Sequence, residues 1–160
     1  MDIRPARPAD SGQIAAIWYE GWRDGHLGHV PDALLPYRTH ESFVERAAGR
    51  IADTAVGVVD DEVAGFVMVV DDEVEQVYVS ARHRGTGSAG ALLAEAERLV
   101  AAHGHDRAWL AVATGNVRAR RFYERQGWTA NGEFDYPAYT DEGPIHVRCL
   151  RYEKPVNSSF

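Results

Sequence analysis

The sequence predicts an α+β fold, a mixed and mostly antiparallel sheet flanked by helices. Three observations carry this. Runs rich in β-branched residues at positions 55–59, 63–70 and 74–79 follow one another across short acidic turns, as in an antiparallel meander. The apolar period then changes to helical spacing over 88–103. A further strand-like run follows at 107–113, and a strand reached across a helical crossover lies parallel to the one before it.

Taken in order, positions 3–7 read as a short first strand. Asp10 or Ser11 caps a helix that places Ile14, Ile17 and Trp18 on one face, and Gly25 and Gly28 end it. Positions 25–36 form a loop rich in Gly, His and Pro. Thr39 caps a second helix over about 41–48, with Phe43 and Ala47 inward. Asp60-Asp61-Glu62 turns the first hairpin, and Asp71-Asp72 leads into the strand ending at Val79. The helix over 88–103 buries Leu92, Leu93, Ala96, Leu99 and Val100, and Gly104 follows its end. Positions 116–126 form a helix stopped by Gly127. Strands over 128–134 and 145–153 close the sheet, joined by a segment over 139–144. A single domain over 1–155 is expected, with a frayed tail at 156–160.

At 160 residues, one domain can bury a substantial core. The net charge of −7 argues against a general nucleic-acid binder and suits steering of a cationic substrate. No apolar run is long enough to span a bilayer, and the N-terminus shows no apolar signal region, so a cytoplasmic protein with no membrane partner is expected. The single cysteine, Cys149, permits no internal disulfide and lies in a strand-like run, where a packed thiol is expected. Of the seven histidines, only His26/His29 and His103/His105 are closely spaced, and neither pair has a metal-ligand context, so no metal is expected.

The stretch that points to chemistry runs from Val74 to Leu93: strand, basic glycine-rich turn, helix start. Unpaired N–H groups and partial positive charge at a helix N-terminus attract an anion. Glycines let a phosphate approach the backbone, so a phosphate-bearing cofactor is expected here. Gly85-x-Gly87-x-x-Gly90 satisfies the dinucleotide fingerprint. Its context does not: five residues separate strand from glycine, and the next strand ends in Thr114-Gly115-Asn116 with no carboxylate.

Arg84-x-x-Gly87-x-Ala89 is similar to the Arg/Gln-x-x-Gly-x-Gly/Ala signature of the GNAT family of N-acetyltransferases. The run from Asn116 to Trp128, with Ala119, Phe122-Tyr123-Glu124 and Gly127, resembles that family's second motif, and the opening Ile3-Arg4-Pro5 resembles its first strand. The resemblance covers about 2–153. It implies a GNAT-type sheet whose two central parallel strands splay after a bulge, with acetyl-CoA as co-substrate in the gap and a primary amine as acceptor. A non-catalytic acyl-CoA-binding regulatory module is the alternative.

The resemblance also implies roles. Arg84, Gly85, Thr86, Gly87, Ser88, Ala89 and Gly90 would hold the pyrophosphate, and Arg82 stands nearby. The backbone of Val77, Tyr78 and Val79 would take the pantetheine arm as an added strand. Asn116 would bond that arm or cap its helix, or both. Tyr123 would protonate the leaving thiolate, against the alternative of a packed aromatic. Glu73 or Glu75, nominally on one face, would take the amine proton. Tyr19, Trp22, Asp24, His26 and His29, with Tyr136 and Tyr139 opposite, would line the acceptor side. The acceptor itself, a small amine or a peptide N-terminus, stays open, as does a homodimer.

Overall fold

In the computed structural model, which describes residues 1–156, seven strands form one sheet in the order β1-β2-β3-β4-β5-β7-β6. The strands are β1 (Asp2–Pro5), β2 (Thr54–Val59), β3 (Glu62–Val70), β4 (Glu73–Val79), β5 (Arg107–Ala113), β6 (Thr129–Thr140) and β7 (Gly143–Pro155). Every neighbouring pair is antiparallel except β4 and β5. The helices are α1 (Ser11–His26), α2 (His40–Gly49), α3 (Ser88–Ala102) and α4 (Val117–Arg125).

Alternation along the inner strands produces a core on each face of the sheet. Val56, Phe66 and Met68 point to one face and are covered by Ile14 and Trp18 of α1 and Phe43 of α2. Ala55, Val67 and Val69 point to the other and are covered by Leu92, Leu93 and Ala96 of α3 and Phe122 of α4. Burial of the Val, Leu, Ile, Phe and Met side chains among these contributes about 1.5–3 kcal/mol each.

The helix caps follow from local chemistry. Thr39 accepts from the Ser42 N–H at 3.1 Å to start α2, as its sequence implies. At α1 the expected cap is absent. Asp10 instead accepts from the Arg7 N–H at 2.7 Å and pairs with the Arg4 guanidinium at 2.8 Å, which fixes a tight 3-10 turn over Pro8–Asp10 and ends β1 at Pro5. Helix α1 also continues through Gly25 to His26, and the chain turns at Gly28 with φ +82°. The loop that follows contains a 3-10 turn, Asp32–Tyr37, that anchors Leu34 in the core.

The last hairpin is longer than its sequence suggests. Strand β6 continues to Thr140, with Pro137 opposite His146. Proline is tolerated because β6 is the sheet edge, where one side needs no ladder bond. At the C-terminal end, the Val156 N–H still donates to the Asp106 carbonyl at 2.9 Å; of the expected tail, 157–160 lie outside the described residues.

Candidate active site

The parallel strands β4 and β5 meet only where they begin. Glu73 pairs with Trp109, the Trp109 N–H donates to the Asp72 carbonyl at 3.1 Å, and beyond this pair no ladder joins them. The cause is a bulge. Between β3 and β4, Met68 pairs with Gln76 but Val69 pairs with Val74, so Glu75 is an extra residue. Strict alternation would put Val74 with Tyr78; instead Val74 packs with Val77 and Val79 beneath α3, while Tyr78 packs toward α1. The edge of Val77–Val79 that faces β5 is left without strand partners. A cavity of about 1380 Å³ occupies the gap.

At its far end the cavity meets the glycine turn. Gly85 and Gly87 adopt φ of +77° and +84°, and Gly87 stands at the start of α3. No atom lies within 4 Å of where a Cβ would project at either, so the cradle is open. The Thr86 hydroxyl donates to the His83 carbonyl at 2.5 Å and contacts the Ser88 hydroxyl at 2.8 Å. Thr86 and Ser88 thus brace the turn from behind, whereas Gly85, Gly87, Ala89 and Gly90 line the cavity. An open backbone cradle at the positive end of a 15-residue helix fits the phosphates of a coenzyme A. Arg84 lines it too and pairs with Asp24 of α1 at 2.8 Å. Asp24, expected on the acceptor side, is therefore engaged at the cofactor end. Arg82 pairs with Glu62 at 3.1 Å, away from the cavity.

Helix α4 forms one wall. The Asn116 side chain accepts from the Ala119 N–H at 3.2 Å as an N-cap, and the residue also lines the cavity. Gly25 has no side chain because Asn116 Nδ2 would be only 2.8 Å from a Cβ there. Tyr123 lies edge-on to Phe122, with ring centroids 5.2 Å apart. Burial alone raises its hydroxyl above the ordinary range, so it stays protonated at neutral pH.

The two candidate carboxylates have different partners. Glu75 is held by Arg50, the residue that ends α2, in a two-pronged pair, at 2.6 and 3.0 Å. Glu73 accepts from the Tyr136 hydroxyl at 2.6 Å. Burial pushes the Glu73 carboxyl upward, the Tyr136 bond opposes this, and the charges of Glu75 and Asp72 push it up again.

On the acceptor side, Trp22 and His26 stack 5.1 Å apart and line the cavity with His29, Tyr136 and Tyr139. The His26 Nδ1–H donates to the Trp22 carbonyl at 2.9 Å, and burial lowers its pKa to about 4, so the ring is neutral. Tyr19 is not part of this wall; it packs against His40 and Phe43 between α1 and α2. Cys149 lines the cavity as a buried thiol, its pKa pushed up to about 11 by burial. His103 and His105 both contact Asp71, at 2.8 and 2.5 Å, far from the other histidine pair in the fold.

Among the cavity residues that sequence reasoning missed are two arginines, Arg38 and Arg46. The place of Arg46 was readable, since it follows the inward Phe43 by three positions on α2. Arg38 follows the aperiodic loop, where no pattern assigns a direction.

A profile of the acetyltransferase (GNAT) family matches residues 14–128. The chain is 35% identical over 98 residues to an uncharacterized N-acetyltransferase of Mycobacterium tuberculosis, and equally to one of Mycobacterium bovis. That match covers 57% of this chain and 63% of the relative, under two thirds of the relative's length. The GCN5-related N-acetyltransferase of Rhodopseudomonas palustris superposes with a TM-score of 0.74 at 18% identity, covering 96% of this chain and 94% of that one. The PaiA N-acetyltransferase of Thermoplasma acidophilum, solved with coenzyme A, gives 0.70 at 17% identity, over 96% and 98% of the two chains. A putative acetyltransferase of Salmonella typhimurium, solved with acetyl-CoA, gives 0.71 at 16%, over 100% and 96%. At such identities the structures share the fold.

Proposed function

The chain belongs to the acetyltransferase (GNAT) family, and from that premise we propose that it transfers the acetyl group of acetyl-CoA to a primary amine by direct attack in a ternary complex. The observation that carries this is the gap between β4 and β5, which joins an open phosphate cradle to a half-buried carboxylate, Glu73, with Tyr123 along the wall.

Acetyl-CoA, when bound, supplies an acetyl group activated as a thioester. The backbone of Gly85, Gly87 and Gly90 holds its phosphates, and the free edge of Val77–Val79 and the Asn116 side chain hold its arm. A backbone N–H on that edge polarises the reacting carbonyl. Glu73 Oε takes the proton of the acceptor ammonium, directly or through water. Its raised pKa brings it closer to that of the amine and improves it as a base. Glu75 serves α2 instead, since Arg50 occupies both its oxygens. Tyr123 Oη keeps its proton until the departing thiolate forms beside it; a phenol is the weaker acid of the two, so the transfer is uphill and proceeds within the hydrogen bond between them. Cys149 stays protonated, which disfavours a covalent acetyl-enzyme and supports direct transfer.

A thiol-release assay with acetyl-CoA and a panel of primary amines tests this reading. Turnover with at least one amine is expected. Tight acetyl-CoA binding with no turnover on any amine would leave the protein as a binding module.

A further inference from the structure

The charge balance of the cavity is incomplete. Three carboxylates line it among the described residues, and each is engaged: Asp24 by Arg84, Glu75 by Arg50, Glu73 by the Tyr136 hydroxyl. Of the cavity's arginines that are not exposed, Arg38 and Arg46 have no carboxylate hydrogen-bonded to them among the described residues. Arg38 is only 8% exposed, and its side chain reaches only carbonyl oxygens, that of Tyr139 at 3.1 Å and that of Tyr37 at 3.5 Å. A guanidinium has five N–H donors, so most of its capacity is unused. Arg46 lies over the Trp18 ring at 4.3 Å and the Phe43 ring at 5.2 Å, and its Nη1 is buried without a hydrogen-bond partner. The two are close enough to repel each other. His26, near Arg38, is neutral and offers no compensating charge.

Glu75 lies near enough to favour the Arg46 charge, but both its oxygens are taken by Arg50, and burying Arg38 and Arg46 together with no anion bonded to either is unfavourable. Ring stacking explains the direction of Arg46, but it does not neutralise the pair. Both belong to the acceptor wall, Arg38 in the segment between α1 and α2 and Arg46 on α2. Their contacts also close that wall: Arg38 ties to Tyr139, and the Tyr37 hydroxyl donates to Glu142, so the last hairpin is pinned to the segment before α2. A site closed in this way suits a small molecule.

We propose that Arg38 and Arg46 form a carboxylate subsite, so that the acceptor is a small primary amine that also bears a carboxylate. This rests on the acetyltransferase reading above for the amine half alone. Planar guanidiniums match a carboxylate through paired N–H bonds, and a stacked, desolvated one binds it more strongly than an exposed one would.

The test compares leucine, phenylalanine, methionine and 4-aminobutanoate with their carboxamides and with the matching decarboxylated amines. An α-carboxamide lowers amine basicity and frees more neutral amine, so a preference for the acid reports recognition of charge. With wild-type protein, at least one acid is expected to exceed both counterparts in kcat/KM by about 10-fold, equivalent to about 1.4 kcal/mol. Arg38→Met and Arg46→Met should each erase that preference, mainly through KM, with acetyl-CoA affinity by calorimetry unchanged. Calorimetric binding of the N-acetylated acids in the presence of CoA gives a readout independent of turnover and should weaken in both variants. If no amine turns over but the N-acetylated acids bind and depend on both arginines, the subsite stands and the catalytic reading fails. The subsite is overturned if wild type turns over acids and decarboxylated amines equally, or if N-acetylated acids show no binding. Should a variant fail to fold, the wild-type comparison alone decides.

Discussion

Glu73 and Glu75 stand two positions apart, yet one meets a tyrosine hydroxyl and the other a guanidinium. The bulge at Glu75 makes the difference, and a period-two reading that places both on one face cannot reveal it. Glu73→Gln is expected to lower kcat/KM by roughly 10²-fold at neutral pH, with the loss shrinking as pH rises and free amine accumulates. The stability sign is opposite. The folded-state pKa of Glu73 is raised, so the folded protein holds its proton more tightly than the unfolded chain. Wild-type stability therefore falls as pH rises through that window, and Glu73→Gln should match or exceed the wild-type melting temperature at pH 7 but show no such gain near pH 4. Glu75→Gln should lose about 1–3 kcal/mol at pH 7 by leaving Arg50 poorly paired, while keeping more activity than Glu73→Gln. A converse ranking in rates would transfer the base to Glu75. Tyr123→Phe keeps the ring and removes the proton, so kcat should fall by roughly 10²–10⁴-fold with little change in acetyl-CoA affinity. A wild-type kcat, with chemistry shown to limit the rate, would leave Tyr123 as a packed aromatic.

The turn between β4 and α3 is the element on which the cofactor reading depends. Gly87 combines φ of +84° with open space where a side chain would project. Gly87→Glu adds a negative charge there, and acetyl-CoA affinity should drop by at least roughly 10²-fold, about 2.7 kcal/mol. A left-handed backbone penalises most side chains by about 1–2 kcal/mol, whereas asparagine tolerates it. Gly87→Asn should therefore melt closer to wild type and still bind acetyl-CoA more weakly, which separates strain from the loss of the cradle. Unchanged affinity in both would remove the turn from the cofactor site. The glycine turn and helix start were legible, because both are local features, whereas the inward bonding of Thr86 and Ser88 was not. The last hairpin was less so: Pro137 and the polar faces of an edge strand hide a period that tertiary pairing supplies. The end of α1 was also misplaced. Gly25 looks like a helix breaker, but α1 runs through it to His26, and a Cβ there would come within 2.8 Å of the Asn116 amide.

Across the molecule, one sheet carries two cores, and the only parallel junction among the described strands is also where the sheet opens. The α+β class and the parallel crossover followed from the change of apolar period. The gap itself did not, because a missing ladder leaves no mark in composition; it entered through the family resemblance. That Arg38 and Arg46 lack a bonded carboxylate was invisible for a related reason, even where the inward place of Arg46 was readable, since a guanidinium without a partner looks in sequence like any solvated charge. Acetyl-CoA that binds only the folded protein must raise its melting temperature by mass action. The most direct measurement is a thermal melt of the wild-type protein with acetyl-CoA and, separately, with NADH, each at saturating concentration. At about 100 times the dissociation constant, acetyl-CoA should stabilise by about 2.7 kcal/mol, a shift of roughly 5–10 °C, with none from NADH. No shift with acetyl-CoA, or a larger one with NADH, would contradict the assignment of the gap between β4 and β5.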